Sequence, residues 1–144
     1  MAWGRVRVAA LWELGWNTPI KEVELWQFLC RDFDVDALYM SPVSGISGAP
    51  VRERHELVEA LTESVLDGFD VVCVDERGTT SLRDFAHPET ALYVFGKASQ
   101  SAMPTCGRFH GVSVRIETRL DAGLLWPHQA AAILLYDRLV KSWR

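Results

Sequence analysis

The feature that most constrains the fold is the last third of the chain, where two short apolar runs each open into a loop. ALYVFG at 91–96 leads into a polar loop reaching Arg108, and GVSVRI at 111–116 leads into a second loop reaching Leu125. Short runs rich in β-branched and aromatic residues, with little polar alternation, are the pattern of parallel strands covered on both faces. The chain then closes on WPHQAAAILLYDRLVKSWR, an amphipathic helix whose stripe is Ala131, Leu135 and Leu139, joined by Trp143.

The preceding residues supply the units such strands need. RVRVAAL at 5–11 reads as a first strand. Thr18 and Pro19 read as the N-cap and first position of a helix over 19–32, with Ile20, Val23, Trp26 or Gln27, and Cys30 on its apolar face. Lys21, Glu22 and Glu24 are expected outside it. ALYM at 37–40 is a second strand, and SPVSGISGAP at 41–50 is a surface loop, or alternatively a substrate-contact loop. A helix is expected over 51–67, carrying Leu57, Leu61 and Val65, with Gly68 at the C′ position and His55 exposed. FDVVCV at 69–74 is a third strand that ends in Asp75-Glu76-Arg77-Gly78, and 81–85 fits one helical turn. Alternation of this kind predicts an α/β fold, a mostly parallel sheet with helices on both faces. The linker between the last two strands shows no helical period, which a compact domain tolerates where the segment has a task.

A chain of 144 residues is expected to be one domain, 1–144, burying about two thirds of its unfolded surface. With 15 Lys and Arg against 19 Asp and Glu, the net charge of -4 excludes whole-molecule attraction to nucleic acid. RNA contact would need a local cluster, for which Arg108, Arg115, Arg119, Arg138, Lys141 and Arg144 are the candidates. Cys30, Cys73 and Cys106 form no CxxC pair, so no metal site is expected and a reducing cytoplasm is. No apolar run is long enough to span a membrane, and the first residues lack a clean secretory pattern.

Residues 74–144 resemble the SpoU/TrmH branch of the SPOUT RNA methyltransferases. In that family one strand ends in FGxE and a later strand reads I-P-M or similar. Eight residues after that isoleucine, an SLN-type turn opens a helix of small and aliphatic residues. ALYVFG corresponds to the first strand and SVRI to the second. LLWPHQAAAILLYDRL, beginning at Leu124 eight residues after Ile116, corresponds to the turn and helix. VCVDERG at 72–78 looks like the strand and turn before them, while LGWN, helix 19–32 and DVDALYMSP at 34–42 look like the family's opening β-α-β. The resemblance covers essentially the whole chain. It implies a C-terminal trefoil knot and a homodimer built through the closing helix. It also implies S-adenosylmethionine held largely by backbone groups at Val74, Gly96, Ile116, Leu124 and Leu125. The implied reaction is methylation of a ribose 2′-hydroxyl of tRNA or rRNA.

Most of the family's chemical side chains are replaced. FGxE becomes Phe95-Gly96-Lys97-Ala98, so its acid is gone, and the Ser and Asn of the SLN turn fall on Leu124 and Trp126. The early Asn-x-Gly survives as Asn17 with Pro19 at the glycine position, and the nearest arginine to the expected helical one is Arg31. Asp75, Glu76, His110 and His128 are the groups near the loops able to take a proton, although a lone loop histidine is more often structural. No residue is assigned to catalysis. Trp126 is a possible stacking platform, but with six tryptophans in the chain core burial is the expectation. Two alternatives follow: a catalytically degenerate SPOUT-fold dimer that binds S-adenosylmethionine or RNA, and an unknotted α/β ligand-binding domain.

Overall fold

A computed structural model of the chain describes residues 2–13, 19–45, 48, 50–119 and 125–143, with the side chains of 19 and 20 excepted. The elements in order are β1 (Arg5–Leu11), α1 (Pro19–Asp32), β2 (Ala37–Ser41), β3 (Val51–Glu53), α2 (Leu57–Leu66), β4 (Asp70–Val74) and β5 (Thr80–Ser81). A 3-10 turn at Leu82–Asp84 precedes β6 (Thr90–Phe95), α3 (Met103–Gly107), β7 (Val112–Arg115) and α4 (Pro127–Ser142). The strands form one sheet in the order β3-β2-β1-β6-β4-β7-β5, and every pairing is parallel.

Period-two alternation sorts the strand side chains onto two helical layers. Val6, Val8 and Ala10 of β1, Leu38 and Met40 of β2, Val72 and Val74 of β4, and Tyr93 and Phe95 of β6 face α1 and α4. They meet Val23, Trp26 and Cys30 from α1 and Ala131, Leu134 and Leu135 from α4. Ala9, Tyr39, Val71, Cys73, Leu92 and Val94 face the other way, onto Leu57, Ala60 and Leu61 of α2 and Cys106 of α3. Each buried Val, Leu or Phe contributes about 1.5–3 kcal/mol relative to exposure, which makes β1, β6 and β4 the anchor of the molecule. Gly68 stands at the C′ position of α2 with φ +89°, as its place after the apolar stripe predicts.

Four local expectations need correction. The helix expected over 51–67 begins only at Leu57, because 51–53 pairs as an edge strand with Leu38, Tyr39 and Met40. The Glu53 carboxylate holds it there by accepting from the Trp12 indole (3.2 Å), the Gly45 N–H (3.0 Å) and the Ser44 hydroxyl (2.6 Å). Val65, placed on the buried stripe, is exposed, and Ala60 and Ser64 take the inward positions. The linker before β7 contains the short helix α3. Glu22, expected outside α1, is 1% exposed, since its Oε1 accepts the Glu13 N–H at 2.7 Å.

A polar network also crosses the α4 layer. Arg138 is fully buried and donates to the Trp3 carbonyl (3.0 Å from Nε), the Pro88 carbonyl (2.6 Å), the Glu89 carbonyl (2.9 Å) and the Tyr93 hydroxyl (2.8 Å). His87 joins the same network, with Nδ1 2.7 Å from the Tyr93 hydroxyl and Nε2 2.7 Å from Asp137. Lys141 pairs with Asp137 at 2.8 Å and donates to the Leu82 and Phe85 carbonyls. Arg138 and Lys141 are therefore structural cations, not part of an RNA-facing surface.

Candidate active site

In a parallel sheet the strand ends that leave room for a ligand are the carboxyl ends, where loops diverge toward opposite layers. Here the ends of β4, β6 and β7 surround a cleft of about 290 Å³. Val74 lies opposite Phe95 on one side and Val114 on the other, which sets Val74, Gly96 and Ile116 at three neighbouring strand ends. Leu125, Pro127 and Ala130, from the start of α4, form the facing wall. Four of the five residues expected to hold a cofactor are thus brought to one cleft. The fifth, Leu124, lies outside the described residues.

Gly96 has a different local reason from the one its sequence context implies. A Cβ there would meet the Gln100 carbonyl oxygen at 2.4 Å and the Ala102 nitrogen at 3.0 Å. The loop turns back on itself through Lys97 N–H to Gln100 O (2.9 Å) and Gln100 N–H to Lys97 O (3.0 Å). The glycine accommodates that turn, so main chain approaches main chain there, whatever the cleft contains.

Two carboxylates brace the rim. Asp75 Oδ2 accepts from the Ser101 hydroxyl at 2.7 Å, and Oδ1 accepts from the Arg77 N–H at 2.9 Å and from its guanidinium at 3.3 Å. Burial pushes this carboxyl up, but the Ser101 and Arg77 hydrogen bonds outweigh it and hold it below the ordinary carboxylate range. Asp75 is therefore ionised at neutral pH and already well supplied with donors. Glu13, just past β1, reaches across with Oε1 2.9 Å from the Ala98 N–H. Ala98 occupies the place of the acid in FGxE, so a carboxylate still touches that position, delivered from another loop. Sequence reasoning misses Glu13 and Ser101. Glu13's role depends on β1 lying beside β6 and Ser101's on β4 lying beside β6, which no local pattern shows.

The remaining candidates separate clearly. Glu76 lines the cleft and is exposed. His128 is half-buried in the first turn of α4 beside Trp26 and Trp126; burial lowers its pKa and the Glu13 carboxylate partly restores it. His110 precedes β7 and so belongs to the opposite edge of the sheet from the cleft. Arg31 is at the far end of α1, where it pairs with Asp32 (3.6 Å) and lies over the Phe28 ring. It does not serve the cleft. Asn17 lies outside the described residues, and Pro19 begins α1. Arg108 and Arg119 are exposed, whereas Arg115 donates to the Gly78 and Thr79 carbonyls and Arg138 and Lys141 are bound inside the α4 network, so the five described cations do not all serve one surface. Arg144 lies outside the described residues. Trp126, expected in the core, is 43% exposed. Among the described residues no cluster of side chains suits a metal ion, and no helix is long and apolar enough to cross a membrane.

No protein-family model matches the sequence, and no curated protein matches it significantly. Solved structures do. The SpoU methyltransferase AviRb from Streptomyces viridochromogenes, in complex with the cofactor AdoMet, superposes with a TM-score of 0.77 at 14% identity, covering 98% of this chain and 58% of that one. This chain has the TrmH/SpoU methyltransferase fold. A TrmH/SpoU tRNA modifying enzyme from A. aeolicus shares that fold with a TM-score of 0.70 at 17% identity, over 94% of this chain and 74% of the other. An AdoMet-bound rRNA methyltransferase from Sinorhizobium meliloti does so with a TM-score of 0.75 at 15% identity, over 96% and 57%. The chain spans somewhat less than two thirds of the length of several of the structures it matches. At these identities the likeness is one of fold, and in this chain the cleft lies where the loops after β4 and β6 meet the first turn of α4.

Proposed function

We propose that the chain is an S-adenosylmethionine-dependent RNA methyltransferase acting on a ribose 2′-hydroxyl of tRNA or rRNA. The observation that carries this reading is the convergence of Val74, Gly96, Ile116 and Leu125 on one cleft at the carboxyl ends of β4, β6 and β7. Structures of the same fold are described as AdoMet-bound methyltransferases, which supports the choice of donor. The residues present fit that group. Val74, Phe95, Ile116 and Leu125 offer an apolar wall for an adenine, main chain at three strand ends offers hydrogen bonds, and ionised Asp75 complements a sulfonium cation. When bound, the donor supplies an electrophilic methyl group.

The chain's own part is to position the reactants and to take a proton. The Lys97–Gln100 turn and the Glu13–Ala98 bond fix one rim, and Asp75 with Ser101 fixes the other. Proton removal falls to a group that is unprotonated at neutral pH. Of the candidates, Asp75 and Glu76 line the cleft, with Asp75 held ionised by Ser101 and Arg77. We also read residues 1–144 as a single cytoplasmic domain with a C-terminal trefoil knot. Its dimer seam would be the exposed side of α4, where Ile133, Tyr136 and Trp143 recur at spacings of three and seven.

A second reading, a binding module that has lost catalysis, is favoured by the loss of the acid at Ala98 and the remoteness of Arg31. Calorimetric titration with S-adenosylmethionine, followed by transfer of a labelled methyl group to bulk RNA, separates the two. Binding with RNA labelling is expected. Binding without labelling leaves the module, and no binding sinks both cofactor readings.

A further inference from the structure

We propose that Trp126 is a stacking platform for a nucleobase of a single-stranded RNA segment entering the cleft. This rests on the reading of the cleft as an RNA-methyltransferase site and adds how its substrate is held.

Four aromatic rings run in series from the cleft wall to the surface. Phe95, which lines the cleft, meets Trp26 edge-on with centroids 6.3 Å apart. Trp26 meets His128 at 6.5 Å and 82°, and His128 meets Trp126 at 5.8 Å and 57°. Phe95 and Trp26 are buried and His128 is half-buried, so the indole of Trp126 is braced from the core outward. Yet Trp126 itself is 43% exposed. In the chain it stands between Leu125 and Pro127, which both line the cleft. A large aromatic packed on one side and left wet beside cleft-lining residues has the properties of a contact residue rather than a core residue.

The partner follows from the chemistry. A braced indole face pairs with any base, because every base presents a π-face, and such stacking tolerates sequence changes. Lys97 and Arg77 line the same cleft and supply cations for the backbone of such a strand. Double-stranded RNA would hide its base faces, so the segment must be unpaired or have the base turned out.

The test is fluorescence anisotropy of a labelled single-stranded oligoribonucleotide at fixed salt, using the full chain. Trp126→Ala is expected to weaken RNA binding by about tenfold or more, and Trp126→Phe, which keeps a π-face, to stay within about threefold of wild type. Phe28→Ala, at an exposed aromatic of α1, is the control and should leave RNA affinity unchanged. Calorimetry with S-adenosylmethionine should give wild-type affinity for Trp126→Ala. Undiminished RNA affinity in Trp126→Ala overturns the proposal, as does equal loss in the Trp126 and Phe28 variants. A change in oligomeric state without a change in RNA affinity also overturns it, by assigning the ring to a protein contact. If the wild-type chain binds no RNA, the proposal and the RNA half of the functional reading fall together. The cofactor titration on the same samples reports the other half separately.

Discussion

A guanidinium removed entirely from water needs its donors matched, and Arg138 matches them with three main-chain carbonyls and the Tyr93 hydroxyl. Replacing it by methionine keeps much of the volume but takes the guanidinium donor from the Trp3 and Pro88 carbonyls, while Glu89 keeps the Arg5 N–H. Arg138→Met should therefore lower unfolding stability by about 3 kcal/mol or more, read from urea denaturation; a loss below about 1 kcal/mol would sink this account. The position was not read from the sequence, where the stripe runs Ala131, Leu135, Leu139 and Trp143 and charge puts Arg138 outside. Arg138 instead lies inward with Ala131, Leu134 and Leu135, and Trp143 is exposed. His87 completes the network as a neutral ring, donating from Nε2 to Asp137 and accepting at Nδ1 from Tyr93. Burial lowers its pKa, only partly offset by Asp137, and burial likewise lowers His128. Both rings bind a proton more readily in the unfolded chain. Their contribution is thus complete above the unfolded histidine value near ~6.5 and fades as pH falls toward the lower folded values. Urea midpoints measured downward from neutral pH should decline through this window. His87→Gln should decline less steeply, and identical slopes would show that His87 is not involved.

Elements fail to be legible where they are too short for a period to develop. Residues 51–56 read VRERHE, and nothing in three residues distinguishes an edge strand from the first turn of a helix. The difference is decided by Glu53, whose carboxylate collects donors from Trp12, Ser44 and Gly45. The five residues of α3 fall below the same limit. Long elements were legible: α1 and the start of α4 fall where the N-terminal prolines predict, and β1, β2, β4 and β6 match their apolar runs. The loops of the cleft lie between these cases. Val74, Gly96 and Ile116 could be placed at strand ends, but the braces could not. Glu13→Ala should speed hydrogen exchange at the Ala98 amide by about tenfold or more while leaving the β6 amides unchanged. An unaltered Ala98 rate would show that the rim does not depend on Glu13. Gly96→Val, by contrast, is a poor probe of cofactor binding. Its side chain collides with the Gln100 carbonyl and would distort the loop with or without a ligand.

At the scale of the molecule, exposed apolar residues occur on α1 (Leu25, Phe28), at the end of α2 (Val65, Leu66) and on α4, where Ile133, Tyr136 and Trp143 share one side of the helix. If this side is the dimer seam, sedimentation velocity should find a dimer in the wild type and a monomer in Ile133→Lys/Trp143→Glu, without loss of helical signal. A wild-type monomer would sink the seam. Strand order was the least legible feature at this scale. Alternation predicts a parallel sheet, but β6 beside β1 and β4 between β6 and β7 are pairings between distant segments, fixed only when the layers close. The Arg138 contacts give that closure a direction in time. Their acceptors, Trp3, Pro88 and Glu89, belong to segments made long before residue 138. On a translating ribosome the junction of β1 with β6 can form, with Glu89 accepting the Arg5 N–H, while α4 is still in the exit tunnel, but the Trp3 and Pro88 carbonyls lack the Arg138 donor until that helix emerges. Locking of the sheet is then tied to completion of the helix, and a nascent chain stalled before residue 138 would be held in a state open to chaperones and proteases.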